Sequence, residues 1–216
     1  MELAKCRYVV VEGPIGAGKT SLAQALAHYL GAEALLEAPA ENPFLARFYE
    51  DIPRYALPTQ LNFLFQRVDQ IRGLHQLDLF GRATVADFLL DKDPLFARLN
   101  LSDDEFALYD KVYSHLKPQT PTPDLVIYLQ APTDVLRRRL KERSRANPDT
   151  PALDDEYVRE LNEAYNHFFF HYNATPLLVV ETSQFDLSWG DETLDDLMKQ
   201  LQGMGRGTRY YVPRTK

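Results

Sequence analysis

A glycine-rich loop that ends in Lys-Thr is the part of this sequence whose residue types and spacing point most directly to a chemistry. Residues 13–20 read Gly-Pro-Ile-Gly-Ala-Gly-Lys-Thr and follow an apolar run. Glycines let backbone N–H groups turn inward around phosphates, the Lys reaches the β- and γ-phosphates, and the Thr hydroxyl ligates Mg²⁺. The alternative, a ligand-free turn before a helix, does not require Lys-Thr at this offset. The spacing therefore predicts a nucleoside triphosphate site with Mg²⁺, formed by Gly13, Pro14, Ile15, Gly16, Ala17, Gly18, Lys19, Thr20 and Ser21.

Two acidic residues close predicted strands and are candidates for the remaining chemistry. Glu37 ends the second apolar run, and a carboxylate there can orient an acceptor hydroxyl and take its proton. Its alternative is a solvated loop residue. Asp87 ends the third run and can hold Mg²⁺ together with Thr20, directly or through water. Its alternative is a helix cap.

A strongly basic stretch follows the fourth predicted strand in this acidic chain. A charged helix face is usually only solvated, but here Glu142 alone opposes six cations. Mobile arginines that close over a γ-phosphate would neutralise transition-state charge, which predicts a lid over about residues 139–152. The six cations are Arg137, Arg138, Arg139, Lys141, Arg143 and Arg145.

Gln60 and Arg67 lie seven residues apart and hence on one face of a predicted helix. A Gln amide can pair with the edge of a nucleobase, and an Arg adds a fork of donors. The residues alone favour the simpler interpretation of a polar helix surface.

These candidates need a framework, and the pattern of apolar runs predicts one. Strand-like runs alternate with helical patterns, which indicates an α/β fold with a five-stranded parallel sheet flanked by helices. Ligands of such sheets bind beyond the carboxyl ends of the strands, where Glu37 and Asp87 fall. We expect one domain over residues 1–203 and an aperiodic tail over residues 204–216, either loose or lying across a partner subunit. The predicted strands are residues 8–12, 34–37, 83–87, 125–130 and 177–181.

The composition limits the classes of partner. The chain has 216 residues and a net charge of −7, which disfavours a polynucleotide because phosphate backbones are bound by clustered cations. Its one cysteine, Cys6, excludes an internal disulfide and fits a reducing compartment. No run is long and apolar enough to span a membrane, and the N-terminus lacks the apolar core of a signal peptide. We expect a cytoplasmic protein.

Taken together, these motifs resemble the deoxyribonucleoside kinase family over residues 8–201. The block from Tyr49 through Gln60 to Arg67 is similar to that family's tyrosine, glutamine and arginine block without a gap. The resemblance implies a P-loop kinase fold and, with Mg²⁺, transfer of the ATP γ-phosphate to the 5′-hydroxyl of a deoxynucleoside. It also implies a homodimer.

The resemblance assigns a role to each matching residue. It implies that Glu37 is the general base, that Tyr49 holds the sugar 3′-hydroxyl, and that Gln60 and Arg67 contact the base. It further implies lid arginines at Arg139, Arg143 and Arg145. Asp93 near Arg67 resembles the purine-accepting and cytidine-accepting members more than strict thymidine kinases. The Asp-Lys-Asp-Pro-Leu-Phe-Ala text of residues 91–97 resembles purine deoxynucleoside kinases, which implies deoxyadenosine or deoxyguanosine as the acceptor.

Two departures from the family pattern stay open at this point. Phe88 stands where the family has an arginine that supports the 5′-oxygen and phosphate, and which residue compensates is open. The acid that touches the 3′-hydroxyl in several members could be Asp149, Asp155 or Glu156. Two other functions compete: a nucleoside monophosphate kinase, whose dianionic acceptor a carboxylate at Glu37 would repel, and a nucleotide-binding switch or scaffold protein.

Overall fold

The computed structural model describes residues 6–77, 83–117, 120–147, 153–185 and 187–213. Its centre is a six-stranded sheet in which every paired strand is parallel, with the order β2-β3-β1-β4-β5-β6. Strands buried on both faces form from continuous apolar runs, as Tyr8–Glu12 and Leu125–Gln130 illustrate. The strands are β1 (Tyr8–Glu12), β2 (Glu33–Leu35), β3 (Thr84–Ala86), β4 (Leu125–Gln130), β5 (Leu177–Glu181) and β6 (Thr208–Tyr211).

Helices cover both faces of the sheet. The long third helix contains Gln60 and Arg67, as predicted, and carries Pro58 within its first turns. The helices are α1 (Lys19–Leu30), α2 (Leu45–Glu50), α3 (Ile52–Leu77), α4 (Asp93–Asn100), α5 (Asp103–Leu116), α6 (Thr133–Ala146), α7 (Asp155–His171) and α8 (Asp191–Leu201). Short 3₁₀ turns lie at Pro39–Glu41 and Leu90–Lys92. In the described part of the chain no helix is long and apolar enough to cross a membrane.

The prediction of an α/β fold with a parallel sheet is confirmed, but the prediction of five strands is wrong. The sixth strand, Thr208–Tyr211, lies within the predicted tail and pairs with β5 of the same chain, with Leu177 opposite Thr208. An edge strand needs backbone partners on one side only, so its side chains can stay in solvent. Tyr210 is 69% exposed. The strand therefore carries no apolar periodicity that sequence analysis could detect.

The core is divided between the two faces of the sheet. On one face α1 and α8 pack against β1 and β4, with Leu26 and Leu197 fully buried. On the other face α7 packs Tyr165 and Phe169 against Tyr128. A separate cluster joins α3 to α5.

This arrangement puts the loops after β1, β2 and β3 side by side, because β1 and β2 both flank β3 and the three strands run in one direction. The connection after β4 leads into α6 on the other side of β1. The crevice at the carboxyl ends of these strands is where a doubly wound sheet binds its ligands.

Candidate active site

The loop after β1 has the backbone that a phosphate cradle requires. Gly16 and Gly18 have φ values of 87° and 94°, a region that other residues rarely adopt. Gly13 is restricted by space instead, since an added Cβ would lie 2.7 Å from the carbonyl oxygen of Leu129. α1 begins at Lys19 directly after the loop, so its positive end faces the same space. Lys19 Nζ donates to the Gly13 carbonyl oxygen at 2.9 Å.

Thr20 and Asp87, the two predicted metal ligands, are in contact. The Thr20 hydroxyl donates to Asp87 Oδ2 at 2.5 Å, and the backbone N–H of Glu37 donates to Asp87 Oδ1 at 2.7 Å. Burial raises the pKa of Asp87. Within the described residues no group of three or more His, Cys, Asp or Glu side chains could hold a metal. Two hard oxygen ligands that leave room for phosphate oxygens and water suit Mg²⁺, which rarely takes a full set of protein ligands.

Glu37 also lies in this crevice, and its own carboxylate is ionised. Its Oε1 accepts a hydrogen bond from Arg67 Nε at 2.8 Å and contacts Arg67 Nη2, while Lys92 Nζ lies 4.0 Å away. Burial alone would raise the pKa of Glu37. The charges of Arg67, Lys92 and Lys19 outweigh that effect and lower the pKa to about 2. The group is therefore held in its proton-accepting form.

Asp93 contacts Arg67, as expected from the prediction that these two residues lie close together. It is fully buried, and its carboxylate accepts hydrogen bonds from Arg67 Nη1 and from the Tyr109 hydroxyl. Arg67 thus joins Glu37 on one side to Asp93 on the other, and is itself only 6% exposed. Asp93 therefore acts on the crevice through the Arg67 guanidinium, which it orients.

One cavity of about 940 Å³ unites the predicted donor and acceptor residues. It is lined by Lys19, Thr20, Glu37, Asp87 and Arg67 together with Tyr49 and Gln60. Four further aromatic residues of its wall are marked by no sequence motif, because each lies in an ordinary apolar pattern. They are Phe48, Phe63, Phe96 and Tyr157.

The basic stretch forms α6, and its predicted lid arginines differ in position. Arg143 lines the cavity. Arg139 also lines it, yet its guanidinium donates to the carbonyl oxygens of Thr182 and Phe185, the latter at 2.8 Å. Arg145 is exposed and is not among the lining residues. Residues 148–152 of the predicted lid lie outside the described residues.

Of the two described acids considered for the sugar, Asp155 lines the cavity and Glu156 does not. Its Oδ2 lies 3.4 Å from Lys141 Nζ. Glu156 instead contacts Arg159 on the surface of α7. Asp149 lies outside the described residues.

A buried charged group beneath the loop also escaped the sequence analysis. Glu12 Oε1 accepts from the N–H of Gly13 at 3.0 Å, and Oε2 accepts from the N–H of Leu89 at 2.7 Å. Lys92 Nζ lies 3.6 Å from Glu12 Oε1. In the sequence Lys92 lies between two Asp residues, a pattern that suggests a solvated turn. The burial of Lys92 therefore depends on the tertiary fold.

Phe88 is fully buried in the α3–α5 cluster, where it contributes packing and no charge.

Comparisons with known proteins show what this chain is similar to. The sequence matches the family described as Deoxynucleoside kinase over residues 9–204. It is 30% identical over 206 residues to a deoxyadenosine kinase of Lactobacillus acidophilus, covering 89% of this chain and 94% of that relative. It is 31% identical over 159 residues to a deoxyguanosine kinase of Bacillus subtilis, covering 73% and 76%. The fold is similar to that of a deoxyadenosine kinase from M. mycoides with bound dATP, with a TM-score of 0.74 and 24% identity over 91% of this chain and 100% of that chain.

Proposed function

Because the chain belongs to the deoxynucleoside kinase family, we propose that it transfers the γ-phosphoryl group of ATP to the 5′-hydroxyl of a purine deoxynucleoside in nucleotide salvage. It is a phosphotransferase with an alcohol group as acceptor. The observation that carries the proposal is the shared cavity, in which the ionised Glu37 opens onto the same space as Lys19 and Thr20.

The donor half of the cavity is suited to a triphosphate. Backbone N–H groups of the loop between Pro14 and Lys19 and the start of α1 would bind the phosphates, and Lys19 would exchange its bond to the Gly13 carbonyl for the β- and γ-phosphates. Arg143 on α6 would add positive charge as the phosphoryl group moves. Thr20 and Asp87 would hold Mg²⁺, which when bound neutralises charge on the phosphate oxygens.

In the acceptor half, Glu37 would orient the 5′-hydroxyl and take its proton. A carboxylate with a pKa of about 2 is a weak base, so it accepts the proton late, when bonding to phosphorus has made the hydroxyl acidic. Arg67 fixes the carboxylate beforehand and so reduces the reorganisation that the reaction needs. The roles of Arg139 and Arg145 as lid arginines stay predictions.

The base would be contacted by side chains of α3 that line the cavity. Gln60 is 4% exposed and lines the cavity, where its amide can donate to and accept from a base edge. Arg67 adds donors beside it, oriented by Asp93. Tyr49 would bind the sugar 3′-hydroxyl. The two relatives above act on deoxyadenosine and deoxyguanosine, as their names state.

We further propose a homodimer in the cytoplasm. The homodimer follows from the family resemblance, and a subunit contact on α7 would bury Phe170, which is 80% exposed. Light scattering during gel filtration would give the mass in solution, and a mass near 25 kDa would contradict the dimer, since one chain weighs 24.8 kDa.

The decisive experiment measures phosphate transfer from ATP with Mg²⁺ to each of the four deoxynucleosides and to deoxyadenosine monophosphate. We expect the highest kcat/KM with a purine deoxynucleoside. Preference for the monophosphate would identify a nucleoside monophosphate kinase, and no transfer to any of them would favour a switch or scaffold protein.

Glu37→Gln tests the proposed general base directly. Turnover should fall by about two to four powers of ten, the range for a positioned general base, while ATP binding persists. Glu41→Gln is the matched control, because Glu41 is exposed in the neighbouring 3₁₀ turn. Equal turnover of Glu37→Gln and wild type would exclude Glu37 from this role.

A further inference from the structure

Lys92 is a buried cation that the mechanism above does not use. It ends the 3₁₀ turn Leu90–Lys92 just before α4 and is only 2% exposed, yet it lines the cavity. Lysine is almost never buried to this degree unless its charge is paired. Its ammonium lies 3.6 Å from Glu12 Oε1 and 4.0 Å from Glu37 Oε1, so it stands between two carboxylates.

Rigid neighbours hold the Lys92 ammonium in this place. It donates to the Tyr165 hydroxyl at 3.2 Å and lies 4.6 Å from the centre of the Phe96 ring. Tyr165 is fully buried and donates in turn to Glu12 at 3.0 Å. Glu12 is fixed by backbone N–H groups from the loop after β1 and from the segment after β3, so the cation is tied to both walls of the crevice.

The described residues do not use all of the N–H donors of the Lys92 ammonium. An ammonium has three N–H donors, and among the described residues one hydrogen bond, to Tyr165, meets the distance and angle of such a bond. Glu37 has the complementary need. Its main cation, Arg67, is the group that the proposed function also directs at the base, so a nucleoside that engages Arg67 weakens its hold on Glu37.

We propose that Lys92 is a positioning residue for phosphoryl transfer, whose ammonium holds the Glu37 carboxylate in place when the nucleoside engages Arg67. This inference rests on the proposed function. It also identifies Lys92 as the third cation beside Lys19 and Arg67 among the carboxylates of Glu12 and Glu37. Lys92 acts through Glu37, whose orientation fixes the path of the acceptor proton.

The test compares steady-state kinetics of wild type, Lys92→Met and Lys92→Arg with ATP, Mg²⁺ and the preferred deoxynucleoside. A loss of positioning without loss of binding should lower the kcat of Lys92→Met about 10- to 100-fold and change KM for the nucleoside by less than about threefold. Lys92→Arg keeps the charge. Where Lys92→Met lowers kcat by more than tenfold, the kcat of Lys92→Arg should be at least about tenfold higher than that of Lys92→Met. Lys117→Met is the control, because Lys117 pairs with Asp91 outside the cavity and is 47% exposed.

The outcomes separate this inference from the proposed function. A wild type that phosphorylates no deoxynucleoside refutes the proposed function itself. An active wild type with a folded Lys92→Met whose kcat stays within threefold refutes only the role of Lys92. Equal kcat losses in Lys92→Met and Lys92→Arg would assign the lysine a purely structural role and overturn the inference. If Lys92→Met does not fold, Lys92→Gln, which keeps a donor without the charge, is judged by the same threefold criterion.

Discussion

Replacing Arg67 with Met should destabilise the chain far more than loss of one surface charge, and replacing Asp93 as well should relieve part of the damage. Arg67 contacts Glu37 and Asp93, whose side chains are 19% and 0% exposed. In Arg67→Met, Asp93 keeps only the hydroxyl of Tyr109 among these partners. An uncompensated buried charge is the main cost of breaking such a pair.

The structure sets the size of the effect. Removing one partner of a buried ion pair costs about 3–5 kcal/mol. Asp93→Asn should cost about 1–3 kcal/mol, since Arg67 keeps Glu37 and the amide retains one acceptor oxygen for the two donors, Arg67 and Tyr109. The double variant contains no unpaired charge at residue 93, so its loss should fall short of the sum by at least about 2 kcal/mol. Glu37 contributes less to the cost, because Lys92 remains 4.0 Å away.

Equilibrium unfolding in urea at neutral pH of wild type, both single variants and the double variant gives this coupling energy. A parallel cycle on Arg98 and Asp103, a 3.3 Å pair with 62% and 100% exposed side chains, should give a coupling of about 0–1 kcal/mol. If the Arg67 and Asp93 losses add within about 0.5 kcal/mol, the claim that the two charges depend on each other is wrong.

Three further outcomes are expected. Thr20→Val removes the hydroxyl bonded to Asp87 and should raise the Mg²⁺ concentration for half-maximal turnover by about 10- to 100-fold, and an unchanged Mg²⁺ titration would contradict the metal role. Gly18→Ala puts a Cβ 2.8 Å from a leucine methyl at φ 94° and should cost about 1–3 kcal/mol and weaken ATP binding by calorimetry, whereas Gly73→Ala, with open space around its Cβ, should not lower Tm. The folded-state pKa of Glu37 lies below its usual 4.5, so its stabilising contribution is complete above pH 4.5 and is lost as the pH falls toward 2; from pH 5 to 3 wild type should lose about 2 kcal/mol more than Glu37→Gln, and parallel pH curves would refute this.

Local patterns in the sequence identify most of the fold and the donor half of the site. The apolar runs predict β1, β4 and β5 with the bounds that the structure has, because strands buried on both faces must be apolar throughout. The loop after β1 is equally local, since its glycines and Lys-Thr work through their own backbone and spacing. β6 escapes detection because it is a short edge strand in which only Tyr211 is buried, so its sequence shows no apolar run.

The acceptor half depends on residues that meet only in three dimensions. From sequence, Glu37 could be a solvated loop residue, and Lys92 sits between two aspartates in a short turn. Parallel strand order brings both beside Lys19, and the resulting charges lower the pKa of Glu37. The sequence by itself therefore determined that this is a parallel α/β domain with a triphosphate-binding loop after its first strand. Only the tertiary structure decided which carboxylates are held charged and by which cations, because electrostatic pairing depends on distance and burial between residues far apart in the chain.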